Sequence, residues 1–316
     1  MNFSEILGNE KIKNDLEQTV KKNTTAHSYL FIGDAGIGKK MVAKDFARMI
    51  LCQGDEADRA CGRCSSCIKF DSSNNPDYFE IEPDGNSLKI SQIREMLENI
   101  YQKPIISNKK VFIINDCEKM TKEAQNSLLK TLEEPPEYIV IILITSNENM
   151  ILNTVKSRCI KIKFDNLTNY EMQKYIEKDK DEDVKKIGNM LLEMCNGSIG
   201  KLIKVSKNVD EYNKIEEATK NFVNGNIRNT IQMLKNFEIL YSSKEIILDL
   251  LDYMIVIIYQ YISKRSDCRG RILNTIPLIE KTKRKLVSNS NYDMCLDELI
   301  LNMYGGEHEK YSWNKI

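Results

Sequence analysis

A glycine-rich stretch near the N-terminus constrains this chain more than any other feature: Gly33-Asp34-Ala35-Gly36-Ile37-Gly38-Lys39-Lys40. Its pattern is that of a phosphate-binding loop, G-x-x-x-x-G-K, whose backbone N–H groups cradle phosphates while Lys39 reaches the terminal ones. Such a loop lies between a strand and the N-terminus of a helix. Residues 27–32 form a short apolar segment, and residues 39–51 have helical spacing. The stretch therefore predicts a strand, a phosphate loop and a helix in succession.

The residue after Lys39 departs from this pattern. A phosphate loop has Ser or Thr there, whose hydroxyl binds Mg²⁺, but the ammonium group of Lys40 has no lone pair to offer. We therefore predict a degenerate nucleotide site made of Gly33, Gly36, Gly38, Lys39 and Lys40, without bound Mg²⁺. ATP binding is expected to be lost, and residual binding at Lys39 is left open.

The first half of the chain alternates strands with helices. Further apolar strands are predicted at residues 110–115 and 138–145, with a helix at residues 121–133 between them that ends before Pro135-Pro136. Such alternation is typical of a parallel sheet covered on both faces. After about residue 165 the pattern predicts helices only. We expect an α/β domain at residues 1–165, a small helical domain at 166–205 and a larger helical domain at 206–316.

Composition limits the class of protein. The 316 residues carry 46 basic and 46 acidic side chains, which argues against a strongly basic nucleic-acid-binding surface. No signal peptide is visible at the N-terminus. The longest apolar run, residues 246–262, contains Asp249, Asp252 and Gln260, so a buried helix is expected rather than a membrane span. We expect a cytoplasmic protein without membrane partners.

Four of the nine cysteines lie within sixteen residues: Cys52, Cys61, Cys64 and Cys67. Four thiolates at this spacing can close a tetrahedral shell around Zn²⁺. An iron–sulfur cluster and a metal-free group are the alternatives. A shell of four cysteines leaves no open coordination position, so we expect a structural zinc ion rather than a catalytic one.

Three further motifs, together with the loop and the cysteines, resemble one family: the bacterial clamp-loader ATPases of DNA polymerase III. They are Asn126-Ser127-Leu128-Leu129-Lys130-Thr131-Leu132-Glu133-Glu134-Pro135-Pro136, then Thr145-Ser146-Asn147 at the family's sensor position, and Ser157-Arg158-Cys159. The resemblance covers about residues 1–205, and the remainder is similar only in being helical. It implies an α/β domain of the AAA+ type carrying the zinc module, followed by two all-α domains, the second of which joins a collar with other subunits.

Within this family, motor subunits (gamma and tau) hydrolyse ATP, and a stator subunit (delta-prime) does not. Motors have an Asp-Glu pair after the strand that here ends near residue 115, where this chain has Asn115 and Asp116, or Asp116 and Cys117 in an alternative register. Motors also have an Arg where the match here is Gly200. Arg158 is kept, and in the family this Arg enters the nucleotide site of a neighbouring subunit.

The resemblance thus implies a stator that supplies Arg158 in trans and has little ATP hydrolysis of its own. Any polymerase activity would belong to the complex. The implied partners are the gamma, tau and delta subunits, the sliding clamp and primed DNA. Two alternatives stay open: an active motor subunit of the same family, and a separate zinc-containing DNA-binding protein.

Overall fold

The computed structural model describes residues 3–54, 60–85, 87–224, 237–241, 246–264, 273–288 and 290–305. Two compact units divide the chain. One comprises Met1–Lys178 and Asn196–Lys201, and the other comprises Asp179–Cys195 and Leu202–Ile316. Parts of the predicted domain at residues 206–316 lie outside the described residues, and the three predicted domain boundaries stay predictions.

A five-stranded sheet forms the centre of the first unit. Its strands are β1 (Ser28–Ile32), β2 (Tyr78–Ile81), β3 (Lys110–Ile114), β4 (Ile139–Thr145) and β5 (Ile160–Lys163). The strand order is β2-β3-β4-β1-β5, and every neighbouring pair is parallel. The predicted α/β unit with a parallel sheet, followed by helices, is confirmed, and its assignment to the AAA+ type stays a prediction. Because all strands run the same way, the segments that follow β1, β3 and β4 meet at one edge of the sheet.

Both faces of the sheet are buried, and alternate residues of each central strand enter different cores. In β4, Val140, Ile142 and Ile144 belong to one hydrophobic cluster, whereas Ile139, Ile141 and Leu143 belong to the other. All seven positions of β4 are therefore buried, and the first six are apolar, as is usual in strands covered on both sides.

Among the described residues up to the end of β5, the α-helices are α1 (Glu10–Lys21), α2 (Lys39–Leu51), α3 (Ser65–Asp71), α4 (Ile90–Ile100), α5 (Lys122–Glu133) and α6 (Asn153–Lys156). Residues of α1 and α2 pack in the first cluster, and residues of α4 and α5 pack in the second. The predicted helix at residues 39–51 is α2, and the helix predicted from residue 121 begins one residue later because Thr121 is its N-cap, accepting from the N–H of Ala124 at 3.2 Å.

Every described regular element after β5 is helical. The helices are α7 (Asn169–Lys178), α8 (Glu182–Lys185), α9 (Asn189–Cys195), α10 (Ile199–Ser206), α11 (Val209–Val223), α12 (Ile247–Lys264), α13 (Thr275–Val287) and α14 (Tyr292–Gly305). The apolar run at residues 246–262 becomes α12, which packs against α11 through the edge-to-face rings of Tyr212 and Tyr253, 5.6 Å apart. Over the described residues, no helix combines the length and the apolar character that crossing a membrane would need.

A buried polar network joins the cysteine-rich segment to the sheet. Asp77, just before β2, is fully buried, and its carboxylate accepts from the N–H groups of Ile105, Ile106 and Ser107 at 2.7 to 2.8 Å. The hydroxyl of Ser107 donates to the carbonyl of Leu51 at 2.9 Å. Because a hydroxyl has a single hydrogen to donate, the Ser107 oxygen accepts from the hydroxyl of Ser66, and these two oxygens are 2.9 Å apart. Helix α3, which carries Cys67, is thereby fixed to the end of α2 and to the loop before β3.

We predict that Asp77→Ala lowers the free energy of unfolding by about 3 kcal/mol or more, because three N–H groups, of which that of Ser107 is buried, lose a charged acceptor. Chemical denaturation monitored by circular dichroism measures this loss. The matched control is Asp84→Ala. The carboxylate of Asp84 is exposed and pairs with Lys89 at 2.9 Å, so its loss is expected to cost less than about 1 kcal/mol. Equal effects of the two substitutions would contradict the role given to Asp77.

Candidate functional site

The phosphate loop lies where the sequence predicts it, between β1 and α2, at the carboxyl edge of the sheet. Gly36 and Gly38 have φ angles of 78° and 98°, in the left-handed region that favours glycine. The N–H of Gly33 donates to the carbonyl of Thr145 at 3.3 Å, which joins the loop to the end of β4. The backbone therefore has the form of a phosphate cradle.

Lys39 is directed into its own loop. Its ammonium group donates to the carbonyls of Gly33 and Asp34, both at 2.6 Å, and the residue is only 6% exposed. Burial lowers the pKa of Lys39, and the negative charges of Glu118, Asp116 and Asp34 partly oppose this shift. The amine that would bind a terminal phosphate is therefore hydrogen-bonded to backbone carbonyls of the loop itself.

Lys40 has carboxylate partners where a magnesium-binding hydroxyl would be expected. Its ammonium group lies 2.5 Å from Glu80 of β2 and also pairs with Glu82, while Lys44 binds the second oxygen of Glu80 at 2.8 Å. Burial acts to lower the pKa of Lys40, but the hydrogen bonds that it donates to Glu80 and Glu82 outweigh this effect, and the pKa is raised. Lys40 therefore stays charged, and its charge is balanced within the chain.

The segment around Gly200 packs directly on the phosphate loop. The hydroxyl of Ser198 donates to the carbonyl of Ala35 at 2.7 Å, and the N–H of Gly200 donates to that of Gly36 at 2.9 Å. A Cβ atom on Gly200 would lie 2.8 Å from the Cα of Gly36, closer than such atoms approach in proteins. Position 200 is where the family's motor subunits have an Arg. The backbone contact leaves no space there for a side chain unless the loop moves.

Asn115 and Asp116 follow β3, at the same edge of the sheet as the loop. Asp116 has a φ of 46° and pairs with Lys119 at 3.0 Å. The carboxylate that binds the sensor segment is Glu118, which accepts from the backbone N–H of Ser146 at 3.1 Å and also from its hydroxyl. The sequence analysis did not select Glu118, although its position four residues beyond β3 was a usable signal.

The predicted sensor residues lie at the end of β4, beside the loop. Thr145 is fully buried, and its hydroxyl oxygen accepts from the N–H of Asn147 at 3.0 Å. Asn147 in turn accepts from the N–H of Asn149 at 3.1 Å and starts a short 3₁₀ helix. Thr145, Ser146 and Asn147 are thus held by local bonds within reach of the candidate nucleotide site.

Arg158 lies at the opposite edge of the sheet. The hydroxyl of Ser28, the first residue of β1, donates to the Arg158 carbonyl at 2.9 Å, whereas the phosphate loop follows the last residue of β1. The guanidinium of Arg158 donates through Nη1 to the carbonyl of Thr154 at 2.7 Å and through Nη2 to the carboxylate of Glu133 at 2.5 Å. The structure therefore does not bring Arg158 together with the chain's own phosphate loop.

The four clustered cysteines converge as predicted. The Sγ atoms of Cys52, Cys61, Cys64 and Cys67 all lie within 4.8 Å of one another, and a tetrahedral zinc–thiolate site needs about 3.8 Å between sulfurs. Backbone N–H groups bind three of these sulfurs: Cys61 to Cys52 at 3.3 Å, Cys64 to Cys61 and Cys67 to Cys64, both at 3.4 Å. The group can therefore hold a metal ion.

The thiols of this cluster have unlike acidities. Burial acts to raise the pKa of Cys64, but N–H groups of Gln53 and Cys67 and neighbouring thiols outweigh it, and the pKa falls to about 6. Burial raises the pKa of Cys67 far above its ordinary value. The lowered pKa of Cys64 favours its thiolate form. Cys67 would need a positive charge nearby to ionise, which a bound cation would supply.

Comparison with known proteins finds relatives of this chain among subunits of DNA polymerase III. A family model described as "DNA polymerase III, delta subunit" matches residues 8–168. The chain is 38% identical over 138 residues to the DNA polymerase III subunit delta' of Pseudomonas aeruginosa, covering 43% of this chain and 42% of that protein. It is 33% identical over 198 residues to the delta' subunit of Bacillus subtilis, covering 62% and 58%.

The tau/gamma subunit of Haemophilus influenzae is also similar, with 35% identity over 159 residues that cover 50% of this chain and 23% of that protein. The matched region spans less than two thirds of each of these relatives, and the delta' and tau/gamma subunits match with comparable identity. The family model, however, spans just over half of the chain. On that ground, the chain belongs to the family of DNA polymerase III delta-subunit proteins.

Proposed function

We propose that this chain is a delta-prime (stator) subunit of a bacterial clamp loader, which helps to place a sliding clamp on primed DNA in the cytoplasm. Its partners would be the gamma or tau and delta subunits. One observation carries the proposal: an intact Arg158 lies far from a phosphate loop whose magnesium-handling residues are replaced. The relatives named delta' agree with this function.

The position of Arg158 favours action on another subunit. Arg158 lies beside Ser28, the first residue of β1, whereas the phosphate loop follows Ile32, the last residue of that strand. Four residue steps at about 3.3 Å each separate these points by about 13 Å along the strand alone. Arg158 therefore suits the nucleotide site of a neighbour, where an arginine supplied in trans stabilises the charge on the transferred phosphoryl group.

The chain's own loop lacks the corresponding groups. Lys40 pairs with Glu80 and Glu82 in place of a magnesium-binding hydroxyl, Asn115 is uncharged, and Gly200 has no side chain. Removing one such electrostatic contact typically costs 10²–10³ in rate. Phosphoryl transfer depends almost entirely on positioning and electrostatics, so three replacements support a subunit with little ATP hydrolysis of its own.

An active motor subunit is the second candidate, favoured by the similarity to tau/gamma subunits. The isolated chain decides between the two. We predict ATP hydrolysis at least about 100-fold below that of a purified gamma subunit with Mg²⁺, because the metal-binding residues are replaced. Steady-state phosphate release measures it, and Lys39→Ala is the control for contaminating activity. Brisk hydrolysis that Lys39→Ala abolishes would establish a motor.

We predict that Arg158→Ala lowers the DNA-stimulated ATP hydrolysis of a clamp loader reconstituted with gamma and delta subunits. The site that receives Arg158 would lose roughly 10³–10⁵ in rate, so the complex would lose the share of turnover contributed by that site. Arg158→Lys should recover little, because lysine lacks the planar fork. Arg94→Ala, at an exposed position of α4, is the matched control. Unchanged turnover with Arg158→Ala would refute the role of Arg158.

We also propose that the cysteine cluster holds one structural zinc ion, bound by Cys52, Cys61, Cys64 and Cys67. The convergence of four sulfurs and the N–H groups directed at three of them support a cation at this point. Zinc here would fix the segment between α2 and α3, and all four positions of its shell would be filled by protein.

We predict about one zinc ion per purified chain by plasma mass spectrometry, and no visible absorbance from iron. Cys67→Ser should remove most of the zinc and lower the melting temperature, since metal binding contributes to folding. Cys295→Ser, a substitution of a cysteine in α14 outside the cluster, should leave the zinc content unchanged. Wild-type protein containing only traces of zinc, or containing iron and sulfide, would overturn the assignment.

A further inference from the structure

One contact of Arg158 is left unexplained by a role in trans. Nη2 of Arg158 lies 2.5 Å from Oε1 of Glu133, the last residue of α5. Nη1 donates to the carbonyl of Thr154 at 2.7 Å and to the hydroxyl of Ser157 at 3.3 Å. The side chains of Arg158 and Glu133 are 32% and 49% exposed. The guanidinium of the free subunit therefore has a defined position rather than the freedom of a surface arginine.

The backbones on both sides of this ion pair are fixed by one hydrophobic cluster. Leu128 and Leu132 of α5 and Val155 of α6 are all buried in it. Pro135 and Pro136 follow α5 and prevent its extension. Because the two side chains start from positions that are already set, their pairing requires little additional ordering of the chain.

Glu133 is placed where a carboxylate is unfavourable without a partner. It lies in the last turn of α5, at the negative end of the helix dipole. Arg158 supplies the positive charge that offsets this. Among the described residues, Arg158 is the cation that ion-pairs with Glu133.

We propose that Glu133 is the positioning residue of Arg158: it holds the guanidinium in the orientation in which Arg158 meets a neighbour's nucleotide. The inference rests on the proposed function. Glu133 accepts through one oxygen only, and the described contacts use Nη1 and a single hydrogen of Nη2. Nε and the second hydrogen of Nη2 remain for phosphate oxygens, since a guanidinium has five N–H donors.

The test is a double-mutant cycle in the reconstituted clamp loader, measuring kcat and KM for DNA-stimulated ATP hydrolysis. Glu133→Ala is expected to lower kcat by up to about fivefold with KM unchanged, the size expected of a partly exposed ion pair. Glu133→Gln should recover most of the loss, because its amide oxygen still accepts from Nη2. In the Arg158→Ala background, Glu133→Ala should have no further effect.

Glu134→Ala is the matched control, since it removes the same charge one residue later at an exposed position, and it should leave kcat unchanged. Thermal unfolding of each variant checks that the fold is retained. Unchanged or increased turnover with Glu133→Ala would overturn the inference, as would an equal loss in the Arg158→Ala background. If Arg158→Ala itself has no effect, the proposed function fails and this inference with it; an effect of Arg158→Ala beside a silent Glu133→Ala refutes the inference alone.

Discussion

Burial of both faces of a parallel sheet is the constraint on which the described sites depend. In β4, alternate residues enter two separate cores, and β1 and β3 lie on either side of that strand. This arrangement fixes the register of the three central strands. Because they are parallel, the phosphate loop, the segment of Asn115 and Asp116, and the segment of Thr145 must emerge together. The same constraint places Arg158 at the other edge.

The departures of this chain from a phosphate-loop ATPase are matched by contacts within the chain. Lys40 is neutralised by Glu80 and Glu82, Asp116 pairs with Lys119, and Gly200 donates its N–H to Gly36. Few charges near the loop are therefore left to be balanced by a bound nucleotide and its metal. The replaced residues form part of a connected arrangement that is consistent with itself, as expected when local and global features of a fold agree.

The central elements could be predicted from sequence because their signals are long and strong. Strands β3 and β4 are apolar except for Lys110 at the start of β3 and Thr145 at the end of β4, and α2 follows a loop whose pattern requires a helix. Strands β2 and β5 were missed, since each has four residues and β5 alternates Ile with exposed Lys. The pairing of Lys40 with Glu80 and of Arg158 with Glu133 could not be predicted either. Those partners are 40 and 25 positions apart, and only the strand order brings them together.

The backbone contact between Gly36 and Gly200 has a consequence for how such a subunit can change. A side chain at position 200 and the present path of the phosphate loop exclude each other, since its Cβ would lie 2.8 Å from the Cα of Gly36. An arginine introduced at position 200 would therefore meet a steric barrier before it could contribute any chemistry. The loop and the segment after Gly197 would first have to separate. Two glycines in contact thus oppose any side chain at position 200, independently of which charges have been replaced.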